Sequence, residues 1–218
     1  MSHTTADQMV EMLKSAGIKR IYGITGDSLN FFNDALRRDG CIDWIHVRHE
    51  EAGAYAAMAE GVLGGLACCA GSSGPGHVHL INGLYDAHRW GAPLLAIPST
   101  IASEDFGTES FQSTDLRMFD GCSYYNEVAL TPKQLPRMLQ QALQHAWSRK
   151  GVGVCAIPGD LMTQDAADDA LCANLYRTQP VTRPCDAEIQ QLADLINETD
   201  DVGIYGGIGC ADARSEVL

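Results

Sequence analysis

The sequence lacks an uncharged apolar run of the roughly 18–20 residues that a helix needs to cross a bilayer. It opens with Met-Ser-His-Thr-Thr-Ala-Asp-Gln, without a basic segment followed by an apolar core, so no secretory signal is predicted. Positive charge is also scarce, because 15 Lys and Arg stand against 28 Asp and Glu, for a formal charge of −13. That balance argues against a protein that binds the phosphate backbone of nucleic acids.

The eight cysteines form neither a C-x-x-C pair nor a zinc-ribbon spacing. Without an export signal, we expect reduced thiols in a cytoplasmic protein. Cys68, Cys69 and Cys155 lie in apolar, strand-like runs, where cysteine acts as a small core residue.

Strand-like and helix-like segments alternate along the first 160 or so residues. Short apolar runs predict strands, and the amphipathic stretches between them predict helices. The strands are expected at residues 19–24, 43–47, 66–70, 93–98 and 152–157, with a mostly loop-like region at 99–129. Nearly continuous apolar strands in βα alternation predict an α/β fold with a doubly wound parallel sheet.

The composition changes after residue 160, where the first domain is predicted to end. The polar segment 161–185, with Asp168-Asp169 and two late prolines, predicts an interdomain linker. Residues 186–218 predict an amphipathic helix, a strand at 202–205, a glycine-rich turn and another helix start. One helix, one strand and a turn cannot enclose a core, so we expect the incomplete beginning of a second α/β domain.

The most informative segment is Arg48-His49-Glu50-Glu51-Ala52, where a carboxylate lies at the junction of a predicted strand and helix. In a parallel α/β sheet this edge is where ligands bind. A glutamate in a first helical turn can equally serve only the helix macrodipole, at about 0.3–1 kcal/mol. The zinc motif H-E-x-x-H is not formed, because Gly53 stands where the second histidine would be.

Two other features have plain structural explanations. The turn Gly71–Gly76 could present N–H groups to an anion, but a tight strand–helix turn explains it equally well. His77 and His79 flank one residue and would point apart on a helix. Because no third ligand is evident nearby, we predict surface or helix-start histidines rather than a metal site.

Several segments together resemble the thiamine-diphosphate-dependent enzymes of the pyruvate oxidase and acetolactate synthase group. They are Tyr22–Asn30, Arg48–Ala52, Ala70–Gly76, Leu80–Asp86 and Phe111-Gln112. The resemblance covers essentially the whole chain, and Thr25–Asn30 with His79–Leu84 is most similar to the bacterial quinone-dependent pyruvate oxidases. The first 160 residues resemble the pyrimidine-binding domain of this family, and the remainder resembles the beginning of its central, flavin-carrying domain.

The resemblance implies oxidative decarboxylation of pyruvate to acetate and CO2, with electrons passed to a quinone. It implies thiamine diphosphate, Mg²⁺ and FAD as cofactors. It assigns proton exchange with the aminopyrimidine to Glu50 and places Phe111 and Gln112 near the reacting carbons. The residues that it places around the pyrimidine are Thr25, Gly26, Gly74, Pro75 and Asn82.

The resemblance also implies a homodimer or homotetramer, with Glu50 contributed across the subunit interface. In the family a separate domain bearing Gly-Asp-Gly holds the diphosphate and Mg²⁺, and the 218 residues contain no such motif. We therefore expect the chain by itself to be inactive. A peripheral membrane contact would require residues beyond Leu218.

Other functions stay open on the sequence alone. One is an acetolactate synthase-like carboligase, and another is the pyrimidine-domain subunit of a split 2-oxo-acid decarboxylase. A third is a non-catalytic interaction protein that kept the fold, because a fold does not prove an activity. A Rossmann-type nicotinamide-binding protein is disfavoured, since no strand is followed by G-x-G-x-x-G with a later acidic partner.

Overall fold

The computed structural model describes residues 3–167, 175–177, 182–210 and 213–217. The chain forms two units, Met1–Arg177 and Thr178–Leu218. Within the expected linker, Leu161 and Met162 are buried in the core of the first unit. Asp168-Asp169 lies outside the described residues, and the division into domain, linker and second domain stays a prediction.

The first unit is built on a six-stranded sheet in which every strand pair is parallel, as predicted. Its spatial order is β2-β1-β3-β4-β6-β5. The strands are β1 (Arg20–Gly23), β2 (Asp43–His46), β3 (Ala67–Gly71), β4 (Leu94–Thr100), β5 (Tyr125–Val128) and β6 (Val152–Pro158). The strand β5 lies in the region 99–129 that was expected to be mostly loop, and its polar, partly exposed sequence gives no strand signal.

Helices cover both faces of this sheet, which confirms the doubly wound arrangement. They are α1 (Thr5–Ser15), α2 (Asn30–Asp39), α3 (Glu50–Gly64), α4 (Pro75–Val78), α5 (Ile81–Trp90) and α6 (Leu135–Arg149). Strand side chains alternate between the two cores, because successive residues of a strand point to opposite faces. Cys68 and Leu95 join the core under α1, α2 and α6, whereas Cys69 and Ala96 join the core under α3 and α5.

Local hydrogen bonds mark the helix boundaries. The capping box of α1 is formed by Thr4 and Asp7. His79 and Leu80 separate α4 from α5. Before α6, which begins at Leu135, Oγ1 of Thr131 accepts from the N–H of Gln134 at 3.3 Å.

The second unit contains α7 (Asp186–Asn197), a 3-10 turn at Ile208–Cys210 and α8 (Arg214–Val217). The helix predicted from Asp186 is confirmed. The strand predicted at 202–205 was wrong, since residues 201–207 carry no regular structure and no neighbouring strand pairs with them. Within the described ranges of the whole chain, no helix is long and apolar enough to cross a membrane.

Candidate active site

The parallel topology brings the predicted site residues to one edge of the sheet. Thr25 and Gly26 follow β1, Glu50 follows β2, and Gly74 and Pro75 follow β3. Carboxyl ends of parallel strands meet at the same edge, where open α/β sheets bind their ligands. Five predicted residues, separated widely in sequence, are therefore carried by neighbouring loops.

Glu50 is the first residue of α3 and is 7% exposed. Nδ1 of His79 donates a hydrogen bond to its Oε2 at 3.0 Å. The preceding residue, His49, caps the helix, with its Nδ1 accepting from the N–H of Glu51 at 3.3 Å. The carboxylate thus lies at the positive end of the α3 dipole and out of bulk water, held by a neighbouring imidazole.

His49 and His79 stack on each other beside this carboxylate, with ring centroids 4.3 Å apart and planes at 23°. One donor atom from each of His49, Glu50 and His79 lies within 4.8 Å of the others. His79 is exposed, as predicted for a surface histidine. Its two neighbours in this group come from the start of α3, about 30 residues earlier in the chain, a proximity that local spacing does not reveal.

Three glycines allow the loops around Glu50 to approach closely. A Cβ at Gly26 would lie 2.4 Å from Oγ of Ser72, and one at Gly76 would lie 3.3 Å from Oε1 of Glu50. Gly74 has φ +69, which favours glycine, and its Cβ would meet Cα of Gln112 at 3.2 Å. The absence of a side chain at Gly76 avoids crowding Oε1 of Glu50, the oxygen that His79 does not contact.

A network of serine hydroxyls ties these loops together, and sequence reasoning missed it. Oγ of Ser28 accepts from the N–H of Ser73 at 2.9 Å and lies 2.9 Å from Oγ of Ser72. Oγ of Ser73 donates to Oε1 of Gln112 at 2.6 Å. On the strand side, Oγ of Ser99 donates to the carbonyl of Ser28 at 2.7 Å. The only sequence signal for this network was the paired serines in the turn after β3.

His77 contacts the loop that carries Gln112, through Thr114. It lies at a helix start, as predicted, but is 1% exposed rather than on the surface. Nδ1 lies 2.8 Å from the carbonyl oxygen of Ser99 and must donate, since a carbonyl can only accept. Nε2 of the neutral ring is then free to accept from the hydroxyl of Thr114. Burial lowers the pKa of His77, which keeps this neutral form.

The loop that carries Phe111 and Gln112 is therefore held at Gln112, by Ser73, and at Thr114, by His77. Phe111 itself is 92% exposed and makes no part of the cores. Gln112 lines a cavity of about 260 Å³ together with His77, Thr100, Phe106, Thr108 and Thr114. The structure thus brings Gly74 against Gln112 and Gly26 against Ser72 of the same turn. The other predicted residues, Thr25, Pro75 and Asn82, are exposed.

A larger cleft of about 610 Å³ lies elsewhere, beside Lys19, Arg20 and Glu60. Arg20 begins β1, so this cleft belongs to the amino-terminal edge of the sheet. Glu60 lies ten residues along α3 from Glu50, a rise of about 15 Å. This cleft and the carboxylate of Glu50 are thus separate features.

Comparison of the sequence with known protein families identifies a match over the first part of the chain. The description "Thiamine pyrophosphate enzyme, N-terminal TPP binding domain" matches residues 3–119. An uncharacterized 42.6 kDa protein from Pseudomonas amyloderamosa is 47% identical over 216 residues, which are 98% of this chain and 54% of that protein.

Two named enzymes are also similar. The pyruvate oxidase of Lactiplantibacillus plantarum is 35% identical over 215 residues, which are 96% of this chain and 36% of that enzyme. A chloroplastic acetolactate synthase of Arabidopsis thaliana is 28% identical over 218 residues, 97% of this chain and 32% of that enzyme. The chain spans between a third and about half of the length of these relatives.

Proposed function

The chain belongs to the thiamine pyrophosphate enzymes, and on that premise we propose that it forms the pyrimidine-binding part of an enzyme that decarboxylates a 2-oxo acid. The observation that carries this proposal is the position of Glu50. Its carboxylate is buried at the carboxyl edge of a parallel sheet, with one oxygen held by His79 and the other beside a glycine.

The residues at this edge fit an aminopyrimidine. A carboxyl group can exchange a proton with a ring nitrogen, and Oε1 of Glu50 is the oxygen that His79 does not contact. Gly76 has no Cβ, which would lie 3.3 Å from this oxygen. When bound, thiamine diphosphate supplies the electron sink for loss of CO2 from the substrate. The role of this chain is to hold the exchangeable proton at Glu50 and to orient the carboxyl group through His79.

Gln112 and Phe111 are proposed to face the substrate. Gln112 is fixed by Ser73, and Thr114 is fixed by His77, so the backbone between them is positioned by the sheet. Such anchoring holds a polar group in place without reorganisation, which is how sites on loops gain precision. Phe111 projects from the first unit and is available to contact a substrate or a second subunit.

We further propose pyruvate as the substrate, FAD as the electron carrier and a quinone as the final acceptor. The support is the similarity to a pyruvate oxidase and the segments Thr25–Asn30 and His79–Leu84. Because the 218 residues contain no Gly-Asp-Gly, we assign the diphosphate and Mg²⁺ to a different domain. A carboligase is the second candidate, since acetolactate synthases are similar over 97% of the chain.

A second subunit is proposed to cover α3 and α5. These helices expose five large apolar or aromatic side chains: Tyr55, Val62, Leu63, Tyr85 and Trp90. Exposed apolar surface of this kind marks interaction sites. Light scattering after gel filtration is expected to show a dimer or tetramer, and a monomer at high concentration would contradict this part of the proposal.

The activity is tested on the protein expressed from its full reading frame, supplied with thiamine diphosphate, Mg²⁺ and FAD. Pyruvate is expected to yield CO2 and acetate, with reduction of an artificial electron acceptor. Acetolactate as the main product would favour the carboligase instead. Failure to release CO2 from any 2-oxo acid would overturn the proposed function.

A further inference from the structure

His49, Glu50 and His79 bring two imidazole rings and a carboxylate to one point of the surface. One donor atom from each residue lies within 4.8 Å of the other two. Within the described ranges this is the one such group of three histidine, cysteine or carboxylate side chains. We propose that it is a binding site for a divalent transition-metal ion of the zinc and cobalt class.

The backbone holds the three residues in place before any ion arrives. His49 and Glu50 are the cap and the first residue of α3, and His79 lies at the break between α4 and α5. The helices α3 and α5 touch closely, since a Cβ at Gly83 would lie 2.5 Å from Cβ of Ala54. The two sides of the cluster are thus fixed relative to each other by a packed helix contact.

The donor set selects the class of ion. Imidazole nitrogen with carboxylate oxygen suits zinc, cobalt and iron(II), whereas Mg²⁺ prefers oxygen ligands and keeps several waters. Metal–ligand distances of about 2.0–2.2 Å separate two tetrahedral ligands by about 3.3–3.6 Å. Nδ1 of His79 and Oε2 of Glu50 are 3.0 Å apart, so a small movement admits an ion in place of the shared proton.

The site is open enough for an ion to enter. The side chains of His79 and His49 are 42% and 49% exposed, so both rings can turn toward the ion without unfolding the chain. The hydrogen bond from the N–H of Glu51 to His49 is long, at 3.3 Å, and is a weak restraint on that ring. Oε2 of Glu51, 3.8 Å from Nδ1 of His49, adds negative charge.

Two long-range electrostatic effects act in opposite directions. The amino-terminal end of α3 carries a partial positive charge, which disfavours a cation. The chain as a whole carries a formal charge of −13, which attracts one. Direct coordination by three ligands is the larger effect, because each ligand forms a bond to the ion, whereas the helix end contributes only a partial charge.

Metal binding has a consequence that rests on the proposed function. An ion coordinated by Glu50 occupies the carboxylate that is proposed to exchange a proton with the cofactor. Metal and cofactor would then exclude each other, and transition-metal ions would inhibit activation. Binding of the ion itself does not depend on that function and is measured separately.

Cobalt is the probe, because its visible spectrum reports the ligands. The 218-residue chain is first treated with N-ethylmaleimide, since Cys41, Cys185 and Cys210 are exposed and thiols also bind cobalt. Titration with Co²⁺, followed by absorbance and calorimetry, is expected to show one saturable site per chain without sulfur-to-metal charge transfer.

Variants locate the site. Loss of an outer partner of a metal ligand already costs about 10–100-fold in affinity, so His79→Ala is expected to weaken binding by at least about tenfold. His49→Ser should do the same while keeping an oxygen that can cap α3. The matched control is His3→Ala, since His3 and Glu11 form a comparable pair 3.2 Å apart on α1 and its flank.

Far-UV circular dichroism verifies that each variant is folded. Tight Co²⁺ binding that His79→Ala and His49→Ser weaken and His3→Ala does not supports the proposal. Absence of saturable binding, or binding that both site variants leave unchanged, overturns it. Because no cofactor is present in these titrations, failure here leaves the proposed function standing, and inactivity toward 2-oxo acids leaves the metal site standing.

Discussion

Nδ1 of His79 lies 3.0 Å from Oε2 of Glu50, although the two residues are separated by 29 positions in sequence. The contact joins the start of α3 to the break between α4 and α5. It engages one carboxylate oxygen and leaves the other beside Gly76, where an added Cβ would be 3.3 Å away. The carboxylate is therefore oriented, with Oε2 bonded to His79 and Oε1 next to Gly76.

Glu50→Gln should abolish cofactor activation while preserving the fold, because the amide has nearly the same shape but cannot exchange the proton. Positioned proton transfer contributes about 10²–10⁴-fold to a rate, so a loss of that size is expected in pyruvate-dependent CO2 release. The measurement uses the protein from the full reading frame. Glu51→Gln is the control, since its side chain is 36% exposed and adjacent. Equal losses in both variants would refute the specific role of Glu50.

The stability of the first unit should fall as the pH falls below about 6.5, the ordinary pKa of histidine. Burial lowers the pKa of His77 in the folded chain, so the unfolded chain binds more protons in this range. The stability that the neutral His77 ring contributes is fully present above about pH 6.5. It is lost as the pH falls toward the lowered pKa of His77 in the folded chain. Urea unfolding between about pH 5 and 8 measures it.

The substitution His77→Gln should flatten this pH dependence in part. A residual slope is expected from His88, whose pKa is lowered by burial and by the nearby Arg149. His3→Gln, at an exposed position, should leave the profile as it was. A slope that His77→Gln does not change would show that the buried ring does not titrate in this range.

Thr114→Val should loosen the loop that carries Gln112. The change keeps the shape but removes the hydroxyl that donates to His77, a loss of about 1 kcal/mol. Amide hydrogen exchange is expected to become faster across residues 106–114. Ser113→Ala, at an exposed neighbour, is the control. Unchanged exchange in Thr114→Val would mean that other contacts hold the loop.

Gly83→Ala should destabilise the first unit by about 1–3 kcal/mol, because overpacking forces neighbouring groups apart. The added Cβ would lie 2.5 Å from Cβ of Ala54 and 2.9 Å from the backbone nitrogen of Tyr55. Gly64→Ala is the matched control on α3, where nothing lies within 4 Å of the new atom. Urea unfolding should show a lower free energy of unfolding for Gly83→Ala than for Gly64→Ala. An unchanged free energy of unfolding in Gly83→Ala would contradict the close contact between the helices.

Alkylation of the native chain should distinguish two groups of cysteines. Burial raises the pKa of Cys122 and of Cys155 to about 12, so little of the reactive thiolate forms. Native N-ethylmaleimide labelling is expected at the exposed Cys41, Cys185 and Cys210. The buried set, modified only after denaturation, is Cys68, Cys69, Cys122 and Cys155. Peptide mass spectrometry reads out both, and native labelling of the buried set would refute the core assignment.

The parallel sheet was predictable because its central strands are apolar on both faces. All seven residues of β4 are buried, as are all seven of β6, and such runs occur where helices cover both sides. The edge strand β5, Tyr-Asn-Glu-Val, is only partly buried and carries no such signal. The strand expected at 202–205 failed for the opposite reason, since its apolar residues find no described partner strand.

The location of Glu50 was also predictable, because a strand end followed by a helix start defines the ligand edge of the sheet. Its contact with His79 was not. That contact depends on how closely α5 approaches α3, which is set by Gly83 and not by the residues around either partner. The hydrogen-bond partners of His77 were not predictable for the same reason, since Ser99 and Thr114 lie far from it in sequence.

The hydrogen bond from Ser73 to Gln112 has a consequence for recognition. Because Oε1 of Gln112 already accepts from the serine, the amide has its NH2 group left to offer. In the proposed site, this NH2 group would donate to an oxygen acceptor such as a carboxylate, while the second lone pair of Oε1 could still accept a hydrogen bond. Ser73→Ala removes that hydroxyl donor and leaves the amide of Gln112 free to rotate, so the fixed orientation of its donor and acceptor atoms would be lost.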